Sequence, residues 1–368
     1  MISKEGRLEK FFDKKRIIIT GHTGFKGSWL TIWLKELGAT VLGYSLEPPT
    51  KPNNFEASNL SSRITDIRGD IRNFPHLRKT FIEFQPEIVF HLAAQPLVRY
   101  SYEEPQMTFE TNVIGTVNMF ELVRTTPSVR VLINVTSDKC YENKEWIWGY
   151  RETDRLGGHD PYSSSKACAE LVSNAYIKSF FSQREDIGVA SVRAGNVIGG
   201  GDWGTDRLLP DCFRVLSVDD TISIRNPHAV RPWQFLLEPL YGYLLLSARL
   251  YEMPKDYMGA WNFGPNDKSC IPVNEMVKKI IDNWGSGKWR DVSVELNDNK
   301  HETNLLKLNC DKAHSLLKWQ DILDIDSAIK MAVDWYKTFY RSDALDMYDY
   351  CVAQIKEYMR IVRERSEA

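Results

Sequence analysis

Val131-Leu132-Ile133-Asn134-Val135-Thr136-Ser137-Asp138-Lys139 and, after a polar loop, Asp160-Pro161-Tyr162-Ser163-Ser164-Ser165-Lys166 are the two segments from which the fold can be read. The first is apolar and β-branched, as suits a strand buried in a parallel sheet, and it delivers Ser137, Asp138 and Lys139 to the strand's carboxyl end. In an open α/β sheet, ligands bind at that end. The second segment starts a helix, with Asp160 as N-cap and Pro161 in the first turn, and the pattern continues as Ala167-Cys168-Ala169-Glu170-Leu171-Val172.

Tyr162 and Lys166 therefore stand one turn apart on one helix face. A free tyrosine has a pKa of about 10, and a lysine ammonium beside it favours the phenolate, which can take a proton from a sugar hydroxyl. The spacing alone arises by chance roughly once in a chain with this many tyrosines and lysines. Its position after a strand and a cap is what gives it meaning.

Working back toward the N-terminus, Arg16-Ile17-Ile18-Ile19-Thr20 reads as a strand, and Gly21-His22-Thr23-Gly24-Phe25-Lys26-Gly27 follows it directly into a helix from Ser28 to Leu37. Glycines permit the turn and a close backbone approach, and the helix N-terminus favours an anion, so this segment is built for a pyrophosphate. Gly21, Gly24, Phe25 and Gly27 are candidate cofactor contacts. The His22 imidazole is expected either to crowd that anion or to point to solvent. A second strand, Thr40 to Ser45, leads to Glu47, the acid available for an adenosine ribose; no arginine follows the strand immediately, which favours NAD over NADP.

Further strands are expected at Ile64 to Ile71, Glu87 to His91 and Val189 to Val192. Asp70 and Ile71 close the first of these, with Asp70 placed either to accept from an adenine amino group or to cap the next helix. Ala93 and Ala94 follow the second and are small enough for a cofactor to lie against the backbone. A helix is expected over 105–124. Together with the Tyr162 helix it carries enough apolar residues for a helical dimer interface.

Alternating strands and helices make a Rossmann-type, doubly wound parallel sheet over residues 1–195. Residues 196–368 read as a smaller α/β region packed over the sheet's carboxyl edge, with possible crossings back. Helices are expected near 208–217, 235–252, 273–284, 326–340 and 345–361, with strands near 221–224, 260–263 and 292–296. Arg207, Arg231 and His301 are the cations this part supplies, and arginine is suited to bidentate phosphate contact.

The 368 residues carry 47 basic and 49 acidic side chains, a balance that gives nucleic acid or an anionic membrane no general purchase. No apolar run is long enough to cross a bilayer, and the N-terminal residues have no signal-peptide character. Cys140, Cys168, Cys212, Cys270, Cys310 and Cys351 form no C-x-x-C pair, which points to a reducing cytoplasm and away from a zinc site. The seven histidines show no ligand spacing.

Four segments carry a resemblance: Thr20-Gly21-His22-Thr23-Gly24-Phe25-Lys26-Gly27-Ser28-Trp29-Leu30, Thr136-Ser137-Asp138-Lys139-Cys140-Tyr141-Glu142-Asn143, Asp160 to Lys166, and Arg193-Ala194-Gly195-Asn196-Val197-Ile198-Gly199-Gly200-Gly201-Asp202-Trp203. Together they resemble the extended short-chain dehydrogenase/reductases that act on nucleotide sugars, and among these the 4,6-dehydratase branch that uses CDP-glucose. The resemblance implies an NAD-dependent cycle in which sugar C4 is oxidised, water leaves across C5 and C6, and the hydride returns to C6. It gives Tyr162 the role of C4 base, aided by Lys166 and Ser137, and gives Asp138 that of the acid for the C6 hydroxyl. Related thymidine-diphosphate-glucose enzymes carry glutamate where this chain has Lys139, which leaves the C5 base open. Asn196 is implied near the substrate diphosphate, with Arg207, Arg231 and His301 as further contacts, and a homodimer or dimer of dimers is implied as the assembly. The competing readings are another nucleotide-sugar 4,6-dehydratase, a 4-epimerase, which needs no acid at C6, and a non-catalytic dinucleotide sensor.

Overall fold

The computed structural model describes residues 4–293, 305–341 and 346–367. Its strands are β1 (Arg16–Thr20), β2 (Thr40–Ser45), β3 (Thr65–Arg68), β4 (Ile88–His91), β5 (Val131–Val135), β6 (Gly188–Arg193), β7 (Asn196–Ile198), β8 (Thr221–Ile224), β9 (Val230–Phe235), β10 (Gly259–Asn262), β11 (Cys270–Pro272) and β12 (Lys288–Asp291). Seven of them form one parallel sheet in the order β3-β2-β1-β4-β5-β6-β10. The chain winds outward from β1 to β3, then restarts at β4 on the other side of β1. That reversal opens a crevice between the carboxyl ends of β1 and β4, where a doubly wound sheet binds its ligand.

The central strand shows why the sequence takes this form. Ile17 and Ile19 face one core with Trp29, Trp33, Leu240 and Tyr358, while Ile18 faces the opposite core with Leu42, Phe81, Val89 and Met119. A strand buried on both faces has no polar side to display, so a run of three isoleucines suits it. The Phe25–Glu36, Leu237–Glu252 and Met347–Glu367 helices contribute to the first core, and the Phe74–Phe84 and Gly115–Thr125 helices to the second.

Several elements differ from the reading of the sequence. The strand expected over Ile64 to Ile71 spans Thr65–Arg68, and it is followed by Gly69, where a Cβ would sit 2.3 Å from the Tyr44 ring. The helix expected over 105–124 widens at Glu110–Ile114, where the buried Asn112 amide turns inward to accept from the Gln95 N–H at 2.8 Å and donate to Ser165 Oγ at 2.8 Å. The strand expected at 260–263 is β10, which leaves the second part of the chain and joins the main sheet beside β6. Lys288–Asp291 pairs in parallel with Thr221–Ile224, and most of the strand expected near 292–296 falls in residues 294–304, outside the described residues. The second sheet, β11-β9-β7, was not anticipated. No helix among the described residues is long and apolar enough to cross a membrane.

Candidate active site

A cleft of about 1050 Å³ runs along the carboxyl ends of the sheet and is lined by both parts of the chain. Its first half is the glycine turn after β1. Gly21 has φ +76°, and a Cβ there would lie 2.7 Å from the Ala93 amide nitrogen across the crevice. A Cβ on Gly27 would come within 2.1 Å of the Gly21 carbonyl oxygen, so the helix can begin this close to the turn only with glycine at that position. The Phe25–Glu36 helix has Gly24 as its N-cap, with no side-chain cap and no acid in its first turn. Its amide hydrogens and positive dipole end are therefore left for an external anion.

Gly21, Gly24, Phe25, Gly27, Asp70, Ile71, Ala93 and Ala94 all line the cleft. Glu47 stands at its rim, 77% exposed and 3.7 Å from the Arg68 guanidinium. Asp70 accepts from the Arg72 N–H at 2.8 Å and pairs with its guanidinium at 2.7 Å, which holds the carboxyl below its ordinary range. The helix cap is Asn73, which accepts from the His76 N–H. Among the two readings of Asp70, the cap is thus excluded.

His22 corrects the sequence reading in both its forms. The imidazole is fully buried under the loop, with Nε2 2.9 Å from the Asp66 carboxylate and its ring edge-on to Phe55. Room for it exists because β2 has Gly43 there; a Cβ at that residue would sit 2.3 Å from the ring. His22 neither crowds the pyrophosphate position nor points to solvent. Burial holds its pKa below the ordinary value despite Asp66, so the ring is neutral.

The second half of the cleft is built by β5 and the Pro161–Tyr176 helix. Asp160 caps that helix by accepting from the Ser163 N–H at 2.9 Å, and Ser101 Oγ accepts from the Tyr162 N–H at 3.1 Å. Ser137, Asp138, Lys139, Tyr162 and Lys166 come together along this wall. Ser137 Oγ donates to Asp138 Oδ1 at 2.9 Å. The other oxygen, Asp138 Oδ2, is buried without a hydrogen-bond partner among the described residues, and a Cβ on Gly195 would lie 2.9 Å from it. Lys139 Nζ stands 3.7 Å from Asp138 Oδ1, with its side chain 30% exposed.

Burial, reinforced by Asp138, pushes the Tyr162 phenol up to about 12, against smaller lowering effects of Ser137 and Arg207. The activation expected from Lys166 is not seen, and the loss of hydration of the buried phenolate is the dominant influence. Burial also lowers Lys166 to about 8, opposed by Glu170 and Cys140. Glu170, one turn further on, is buried against the Arg193 guanidinium at 2.6 Å and also accepts from Ser191 Oγ at 2.7 Å, anchoring the Pro161–Tyr176 helix to β6.

Asn196, Arg207 and Arg231 line the far end of the cleft. Arg207 pairs with Asp202 at 2.9 Å, and Arg231 donates to the Val230 carbonyl at 3.1 Å. His301 lies outside the described residues. Three lining residues escaped the sequence reading at this end: Asp206 draws in Arg225 at 3.2 Å and Arg99 at 4.0 Å. Their separation in sequence left no local signal. Lys26, inside the glycine motif, also lines the cleft, and its signal was a cation where the turn itself needs none.

A diphosphate fits the uncapped helix end, a flat ring system fits against Ala93 and Ala94, and a Tyr–Lys pair with a buried carboxyl stands where the two halves meet. Among curated proteins, the chain is 46% identical to CDP-glucose 4,6-dehydratase of Salmonella typhimurium over 356 residues, which cover 95% of this chain and 98% of that protein. Among solved structures, it resembles a dTDP-glucose 4,6-dehydratase of Streptomyces venezuelae at a TM-score of 0.73 and 21% identity, covering 88% of this chain and 97% of the other. The UDP-glucose 4-epimerase of Thermotoga maritima matches equally in fold, at a TM-score of 0.73 and 21% identity over 88% of this chain and 99% of its own. The profile of the GDP-mannose 4,6 dehydratase family matches residues 18–332, and with that span and the full-length relative in Salmonella, the chain belongs to this family.

Proposed function

We propose that the protein is an NAD-dependent hydro-lyase that converts CDP-glucose to CDP-4-keto-6-deoxyglucose. The observation that carries this reading over a 4-epimerase is Asp138: a buried carboxyl with one unpartnered oxygen, on the same wall as Tyr162 and Lys166. Epimerisation needs only the C4 base. Loss of water from C6 needs an acid as well. The choice of cytidine is supported by the 46% identity to the Salmonella enzyme and by no contact in the cleft.

On this reading, residues 1–195 hold the cofactor and the catalytic groups, and 196–368 mainly hold the sugar nucleotide. Bound NAD⁺ would supply a hydride acceptor. The turn from Gly21 to Gly27 would hold its pyrophosphate, with Asp70 and Ile71 available to the adenosine and Ala93 and Ala94 small enough for it to lie against the backbone. Tyr162 receives the C4 hydroxyl proton, helped by Ser137 and Lys166, and Asp138 protonates the departing C6 hydroxyl. Asn196, Arg207 and Arg231 face the substrate diphosphate. A dimer through the helices of residues 105–125 and 161–176 is supported by exposed Phe109, Ile114 and Leu171 on them. A reducing cytoplasm fits the six free thiols.

Incubation with NAD⁺ and, separately, CDP-, UDP-, GDP- and thymidine-diphosphate glucose tests the proposal by product mass. Loss of water in the CDP lane alone supports it. Loss only in another lane replaces the base, and a change of configuration without loss of mass establishes an epimerase.

A further inference from the structure

Behind the wall that carries Asp138, one ion pair draws in side chains from several elements. Glu170 and Arg193 meet at 2.6 Å with side chains only 2% and 3% exposed. The Glu170 carboxylate also accepts from the Thr136 hydroxyl, just past the end of β5, and from Ser191 Oγ in β6 at 2.7 Å. The Arg193 guanidinium donates to the Tyr141 hydroxyl at 2.5 Å, and that hydroxyl donates to Asn262 Oδ1 in β10 at 2.8 Å. Thr136 and Tyr141 flank the segment Ser137-Asp138-Lys139-Cys140. The turn that presents Asp138 is thus pinned at its entry to one half of the ion pair and at its exit to the other.

Stability alone does not call for charges in this place. Two ions taken out of water lose hydration that their attraction roughly returns, and apolar side chains of the same volume serve as well. What a fully bonded pair adds is a single arrangement of the groups around it. Those groups are the two halves of the proposed chemistry, because Glu170 lies one turn beyond Lys166 on the helix that also carries Tyr162. That helix has further ties of its own: the Asp160 cap, Ser101 Oγ on the Tyr162 N–H, and the Asn112 amide on Ser165 Oγ at 2.8 Å. Among the described residues, the Asp138 side chain bonds to Ser137 and stands beside Lys139, both within its own turn, and its N–H reaches the Ala194 carbonyl at 3.3 Å. Release of the turn from the ion pair would therefore move Asp138 more than Tyr162.

We propose that Glu170 and Arg193 are positioning residues for the elimination step, holding Asp138 at the C6 hydroxyl while Tyr162 stands at C4, an inference that rests on the dehydratase reading above. A displacement of about 1 Å can cost about 100-fold in rate. The pair should therefore be felt in the step that uses Asp138 and spare the one that uses Tyr162.

Glu170→Gln would leave the Arg193 cation buried without its counter-ion and so puts the fold at risk. The test instead keeps the pair and releases the turn, with Thr136→Val and Tyr141→Phe combined in the full-length enzyme. CDP-glucose and NAD⁺ are followed through a single turnover, NADH absorbance reporting C4 oxidation and product mass reporting loss of water, with the urea midpoint measured alongside. Loss of water should slow by about 10–100-fold while oxidation stays within about threefold of wild type, so that NADH accumulates beyond its wild-type level. Loss of water at the wild-type rate would overturn the proposal. A fall of both steps by one factor would overturn it too, and would leave the pair a stability element. A wild-type enzyme that leaves CDP-glucose intact would instead defeat the substrate reading, an outcome separate from all of these.

Discussion

His22 and Asp66 meet 2.9 Å apart beneath the glycine loop, joining the turn after β1 to strand β3 through a fully buried imidazole. The ring is thus a support under the pyrophosphate position, and its removal should be felt as lost stability. His22→Ala is expected to cost about 2–4 kcal/mol in chemical denaturation, from the cavity and the lost hydrogen bond. NAD⁺ affinity should change by less than about tenfold, or 1.4 kcal/mol. Because the folded-state pKa is depressed, the folded protein binds fewer protons here than the unfolded chain, so this contribution declines as pH falls below the ordinary histidine value of 6.5. Markedly tighter NAD⁺ binding by the alanine variant would show that the ring does obstruct the anion.

On the proposed mechanism, Tyr162→Phe removes the proton acceptor at C4 and little else, since the ring stays buried and the helix cap is made by Asp160. Turnover should fall by about 10²–10⁴-fold while calorimetric NAD⁺ binding is retained. Turnover within a few-fold of wild type would remove Tyr162 from the mechanism.

On the proposed mechanism, Asp138→Asn keeps the shape of the side chain and removes the group that would donate to the C6 hydroxyl. The ketone still acidifies C5, so the variant should exchange the C5 hydrogen with solvent while releasing water far more slowly, by about 10²-fold or more. In the wild type, deuterium placed at C4 of the substrate should be recovered at C6 of the same product molecule. Solvent hydrogen at C6 would contradict the cycle.

Glu238 is a stability prediction far from the cleft. Its buried carboxylate accepts from the Ile322 and Leu323 N–H groups at 2.8 and 2.7 Å and from the Tyr358 hydroxyl at 2.9 Å. Burial nevertheless raises its pKa from 4.5 to about 7. The folded state then holds a proton that the unfolded chain has released, so stability falls as pH rises between these values and levels off above them. The full effect is about 3 kcal/mol at 1.36 kcal/mol per pKa unit. Glu238→Gln should remove that component, so that wild-type stability in urea, taken relative to the variant's at each pH, falls between pH 5 and pH 8. A variant with the wild-type slope would assign the titration to another group.

The parts of this molecule that were legible in the sequence are those decided within one turn or one strand. The Ile17-Ile18-Ile19 run, the Gly21 turn and the Asp160-Pro161 cap each satisfy a local requirement, and each is where it was expected. Strand β9 was not, because Pro232 within Val230–Phe235 argues against a strand. The orientation of His22 was hidden for another reason: it depends on Gly43 leaving a space and on Asp66 filling the far side, and neither is near it in the chain. Arg99, Asp206 and Arg225 likewise meet only after the second part of the chain has folded over the sheet. The high phenol pKa of Tyr162 belongs to the closed cleft and could not be inferred from a lysine four residues away.

The last strand of the main sheet arrives late in the chain, since β10 pairs Gly259–Asn262 along β6 at Ala190–Arg193. During synthesis, the edge of β6 stays open until residue 262 has left the ribosome, with its backbone amides and carbonyls available to any other strand. A fragment ending near residue 195 would keep that edge permanently and should be recovered as aggregate, so the cofactor half and the substrate half have to be inherited and expressed as one unit.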